Sequence, residues 1–151
     1  MATYILLALI GGIAIATQAP INARLREIVV SPVMCAFISF AIGTIALFIM
    51  HLTGFAGPAS FDKVLKMPWW YWVGGLLGAF YVFAALTSVS KLGAATVVSL
   101  VIVGQLVAAL AIDSFGLFGM PVIPISWQRV CGIVLLIAGA YLMKQRVLPI
   151  E

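Results

Sequence analysis

PVMCAFISFAIGTIALFIMHL, residues 32–52, holds no Asp, Glu, Lys or Arg. A helix needs about 20 predominantly apolar residues to cross a hydrocarbon core of about 30 Å, and this run supplies them. Four further apolar runs lie at residues 4–23, 70–89, 94–112 and 126–143, the last with Arg129 near its start. Transmembrane strands would need alternating runs of about 10 residues, and the sequence has none.

Composition points the same way. The chain of 151 residues is 65% hydrophobic and 8% charged, with mean hydropathy +1.26. A soluble domain is about half apolar and a quarter charged. Eight Lys and Arg with four Asp and Glu cannot cover a water-facing surface, so lipid is the expected solvent. The expectation is an all-α membrane protein of five transmembrane helices, one transmembrane domain over residues 1–151. The helices are expected at about 4–25, 32–53, 69–90, 94–113 and 126–144. The first run is not read as a cleaved leader: it has no basic segment before it, it is too long, and Arg24 and Arg26 follow it.

The connections are short. Ser31 can cap the second helix and Pro32 suits its first turn. Residues 53–68 form the longest loop, with Asp62, Lys63 and Lys66, and Lys91-Leu92-Gly93 is a tight link between helices three and four. The net charge of +4 lies at segment ends, as membrane flanks do, and is no nucleic-acid footprint. Arg24, Arg26, Lys91, Lys144 and Arg146 fall on one side; Lys63, Lys66 and Arg129 fall on the side of the N-terminus. This slight bias favours an inward C-terminus, and it equally fits insertion in both orientations. Trp69-Trp70-Tyr71-Trp72 reads as an interfacial aromatic belt. Cys35 and Cys131 start helices on opposite faces of the membrane and are expected to be free thiols.

The polar residues inside the spans are the candidate site. On the first helix Tyr4, Leu7, Gly11, Ala14, Gln18 and Asn22 share one face at 100° per residue. A buried carboxamide without a partner costs about 1–3 kcal/mol, so Gln18 and Asn22 should face protein or water. Pro20 lacks an N–H and frees the carbonyl of Ala16, which favours a bend. A polar, small and bent stripe suits a helix that lines a cavity and moves; the same two carboxamides would also serve to glue helices together. Gln105 on the fourth helix is a third carboxamide, and Tyr81 is either an aromatic wall of the site or a core residue. Gly74, Gly75 and Gly78 on the third helix allow close backbone approach. Asp113 and His51, at span edges, are the candidates for ion coupling. Asp113 would otherwise cap a helix or pair with Lys63, Lys66 or Arg129, and His51 would be an interfacial polar residue. No phosphate loop, zinc-ligand spacing or nucleophile–base arrangement is present, so no catalytic residue, metal or cofactor is expected.

Several fragments in order carry a resemblance: Gln18-Ala19-Pro20-Ile21-Asn22-Ala23, Gly74-Gly75-Leu76-Leu77-Gly78-Ala79, Lys91-Leu92-Gly93-Ala94-Ala95, Gly104-Gln105 and Ile112-Asp113-Ser114-Phe115-Gly116. Over nearly its whole length the chain resembles the YdcZ-like family of small bacterial inner-membrane proteins, related to the drug/metabolite transporter superfamily. The resemblance implies secondary transport of a small metabolite or drug-like solute by alternating access. It also implies that five helices are half of an inverted-repeat fold, completed by an antiparallel homodimer or by an oppositely oriented homologous half. Helices one to four would line the pathway and the fifth would be peripheral. Small four-helix relatives carry a membrane-embedded Glu in helix one. This chain has Gln18 and Asn22 there instead, which disfavours exchange of a proton for a cationic drug and favours a neutral, polar or anionic solute. A small channel, or a structural or regulatory subunit of a membrane complex, are the other roles such a chain could fill.

Overall fold

The computed structural model describes residues 1–55, 57 and 61–143. Lys144 and Arg146, and with them the end of the last expected helix, lie outside the described residues. Among the described residues the regular structure is helical throughout. The helices are α1 (Ala2–Val29), α2 (Pro32–Leu52), a single turn α3 (Phe61–Val64), α4 (Val73–Leu92), α5 (Ala94–Phe115) and α6 (Trp127–Leu142), with 3₁₀ turns at Trp69–Trp72 and Leu117–Gly119. Four stretches are long and apolar enough to cross a membrane: Ala2–Val29, Pro32–Leu52, Trp69–Leu92 and Ala94–Phe115. The fifth apolar run forms α6, a helix of 16 residues. At 1.5 Å per residue it spans about 24 Å, short of a core of about 30 Å.

Local signals account for the boundaries. α1 runs through Pro20 without a break and ends at Val29. Ser31 then caps α2, its Oγ accepting from the Met34 N–H at 3.2 Å, with Pro32 in the first turn. Ser126 caps α6 in the same way, accepting from the Arg129 N–H at 3.4 Å. Gly93 alone separates α4 from α5, at φ 79° and ψ 155°, a region essentially restricted to glycine. The Trp69–Trp72 turn exposes its rings, and Trp70 stacks on Tyr71 with centroids 3.9 Å apart.

Gly116 ends α5 in the left-handed conformation, at φ 59°. A Cβ there would lie 2.7 Å from Val122 Cγ2 and 3.2 Å from the Met120 carbonyl oxygen. Gly116→Ala is therefore expected to destabilise the chain by about 1–2 kcal/mol, the left-handed penalty of an L-residue, read as a lower midpoint of unfolding in detergent. An unchanged midpoint would show that the 116–123 loop relaxes freely.

The chain divides into two compact units, Met1–Thr87 and Ser88–Glu151, the second described to Met143. In the first, Cys35 and Ala36 of α2 pack on Val82 and Leu86 of α4, with Leu25, Val29 and Tyr81 against them. In the second, α5 packs on α6, burying Thr96, Val97 and Ala140. The Thr96 hydroxyl donates to the Met143 carbonyl at 3.4 Å. Large apolar side chains cover the outer helix faces: Leu7 is 61% exposed, Leu47 68% and Leu135 72%. Such faces belong against lipid, where aliphatic side chains need no protein partner.

Candidate functional site

The inner half of the polar stripe on α1 faces α2 across an open cavity of about 530 Å³. Ala14, Thr17, Gln18, Ile21, Asn22 and Leu25 form one wall, and Ile38, Ser39 and Ile42 the other. The outer part of the stripe takes no share: Tyr4 and Leu7 are exposed, and a Cβ on Gly11 would meet nothing within 4 Å. Within this unit the facing wall is α2.

The two carboxamides have different surroundings. Asn22 is buried, only 5% exposed. Its Nδ2 donates to the Ser39 hydroxyl at 3.3 Å, and its backbone carbonyl accepts from the fully buried Cys35 thiol at 3.0 Å. Asn22 therefore ties α1 to α2. Gln18, one turn earlier, is half-buried and makes no hydrogen bond among the described residues. It lies six residues, about 9 Å, inside the level of Arg24. Thr17 donates its hydroxyl to the Ile13 carbonyl at 2.8 Å, which leaves the oxygen's lone pairs available. The cavity thus offers four polar side chains, none of them formally charged, on otherwise apolar walls. It can accept and donate hydrogen bonds but cannot neutralise a charge.

Ser39 and Thr17 were not singled out from the sequence. The signal for Ser39 is a hydroxyl in the middle of the charge-free run 32–52, on a helix whose register toward α1 only the fold reveals. Another cavity of the same unit, about 730 Å³, is apolar throughout, from Val33 to Phe40 on α2 and from Leu76 to Phe83 on α4. It has no side-chain hydrogen-bonding group with which to orient a polar solute.

The remaining candidates scatter. Tyr81 is half-buried against the Cys35–Leu86 cluster, a packing position. Gly78 faces the Phe40 ring, 3.5 Å from where a Cβ would be, whereas Gly74 and Gly75 face open space. Pro20 is half-buried within the continuous α1. Gln105 lies on α5, in the second unit, exposed and without a hydrogen bond among the described residues. Asp113 is paired with Arg129 at 3.1 Å, which selects one of the three basic partners open in sequence. His51 is half-buried near the end of α2. Both cysteines are free, Cys35 buried and Cys131 exposed.

Comparison with known proteins agrees with an apolar helical chain that spans a membrane. Residues 3–142 match the family described as "Putative inner membrane exporter, YdcZ". The inner membrane protein YdcZ of Escherichia coli (strain K12) is 31% identical over 136 residues, covering 89% of this chain and 90% of that protein. No solved structure matches. A match across nearly the full length, together with four helices long enough to span a bilayer, makes this chain a multi-pass inner-membrane protein and a member of the YdcZ family of membrane transporters.

Proposed function

We propose that the protein is a secondary transporter that moves a small, uncharged, hydrogen-bonding solute outward by alternating access, working as an antiparallel homodimer. The observation that carries this reading is the Gln18 carboxamide: half-buried in an apolar helix pair, aimed at a cavity and bonded to nothing among the described residues. Such a group costs about 1–3 kcal/mol unless water or a solute satisfies it. The uncharged lining favours a solute without formal charge, and the outward direction rests on the exporter description of the family.

Pairing of two copies has its own support. Gln105 exposes a carboxamide midway along α5, where lipid offers no hydrogen bond. A second copy, or water between two copies, supplies one. With α6 as a fifth, short span, each chain is an odd-numbered unit, and two copies in opposite orientation reproduce the inverted-repeat geometry of larger transporters. The nearly balanced Lys and Arg flanks permit both orientations.

Cysteine labelling in cells tests the pairing. Cys131 is replaced by Ala and Cys35 by Ser, which keeps a donor for the Asn22 carbonyl. Single cysteines are then placed at Gly57 or at the C-terminus and exposed to a membrane-impermeant thiol reagent. Both sites are expected to label from outside in a substantial fraction of molecules. Labelling at Gly57 alone would establish one orientation and overturn the antiparallel homodimer. In proteoliposomes, flux is expected to saturate with solute concentration; a linear rise would indicate a channel instead.

A further inference from the structure

The second unit carries a charged pair that the Gln18 cavity does not use. Asp113 lies in the last turn of α5 and Arg129 in the first turn of α6. Arg129 Nη1 donates to Asp113 Oδ2 at 3.1 Å, with the two side chains 38% and 32% exposed. That bond occupies one of the five guanidinium N–H donors. The other donors, and Asp113 Oδ1, have no hydrogen bond among the described residues. Each charge therefore retains capacity for a second partner.

Beneath the pair runs a cavity of about 260 Å³. Leu110 and Leu106 lie one and two turns below Asp113 on α5, and Ile133 and Leu136 one and two turns below Arg129 on α6. Seven residues of helix descend about 10 Å, from the charged rim toward the hydrocarbon. The rim holds one cation and one anion, and the walls below it are apolar. This distribution matches an amphiphile with a zwitterionic head.

We propose that this groove is a binding site for a zwitterionic aminophospholipid. The lipid phosphate accepts from the uncommitted N–H groups of Arg129, its ammonium donates to Asp113, and one acyl chain lies along Leu110, Leu106, Ile133 and Leu136. Charge complementarity selects this head over two others. A purely anionic head meets Arg129 favourably but leaves Asp113 facing added negative charge. A choline head carries its positive charge behind methyl groups and has no N–H to donate to the carboxylate. The phosphate also relieves a local conflict, since the Arg129 cation sits at the positive end of the α6 dipole. The site is independent of the transport reading, because it shares no residue with the Gln18 cavity.

Native mass spectrometry of the purified full chain tests the site, with phosphatidylethanolamine, phosphatidylcholine and phosphatidylglycerol of identical acyl chains added at equal concentration. The wild-type chain is expected to retain phosphatidylethanolamine several-fold better than the other two. Asp113→Asn should equalise the ethanolamine and choline lipids, and Arg129→Gln should lower retention of all three. Glycerophosphoethanolamine, the same head without acyl chains, should not displace the bound lipid at equal concentration. Equal retention of the three lipids by the wild-type chain would overturn the proposal, as would displacement by the soluble head as effective as by the lipid. The wild-type comparison requires no variant, so it decides the matter even if a substitution impairs folding.

Discussion

Gln18→Ala is expected to lower transport about ten- to hundredfold while leaving the yield of folded protein unchanged. The magnitude follows from removing the hydrogen bonds of one carboxamide to a desolvated solute, about 1.4–3 kcal/mol where the solute's own group is left unpaired. The unchanged yield follows from geometry: Gln18 makes no hydrogen bond that holds the chain together among the described residues. Asn22→Ala should behave in the opposite way. Asn22 is buried and bonded to Ser39, so its loss should lower stability first, and transport through lost protein. The measurement is saturable flux in proteoliposomes against a panel of uncharged amides, polyols and nucleosides, normalised to folded protein recovered. Normal flux in Gln18→Ala would remove the central residue of the proposed site.

That contrast marks the limit of what the sequence disclosed. Both carboxamides were visible as one stripe on α1, because helical periodicity depends only on spacing along the chain. Their separate roles were not visible, because they depend on which residues α2 brings opposite. Ser39 reaches Asn22, and Ile38 and Ile42 frame the space before Gln18. The same holds for Asp113. Three basic side chains were open as partners, and only the return of the chain through residues 116–126, where the Ile123 N–H donates to the Asp113 carbonyl at 2.9 Å, brings Arg129 beside it. The helical, membrane-spanning character was legible throughout, since a bilayer imposes a length and polarity requirement on each segment separately. It was least decisive at the fifth run, where the Ser126 cap starts the helix as expected but the helix ends at Leu142 after 16 residues. Tyr81 could be wall or core by pattern, and its place against Cys35 and Leu86 is decided by the packing of α4 on α2.

Leu86→Ala is expected to carry the largest stability cost of any conservative truncation in the first unit. Leu86 is fully buried, between Cys35 and Ala36 of α2 and its own neighbour Val82. In water-soluble cores the same change costs about 2–5 kcal/mol, part from transfer out of water and part from the cavity left behind. In a bilayer the separated helices are already in an apolar medium, so the transfer part largely drops out. What persists is lost dispersion contact across a rigid gap, which places the expected cost near the lower end, about 2 kcal/mol. Leu7→Ala provides the comparison, because Leu7 is 61% exposed on α1 and should change stability by less than about 0.5 kcal/mol. Both are read as midpoints of unfolding in mixed micelles. A cost at Leu7 equal to that at Leu86 would mean that another protein surface, not lipid, covers this face of α1. The outer half of the polar stripe would then be part of the contact between two copies, and the interface could be traced by truncating Tyr4 in the same way and by adding a methyl group with Gly11→Ala.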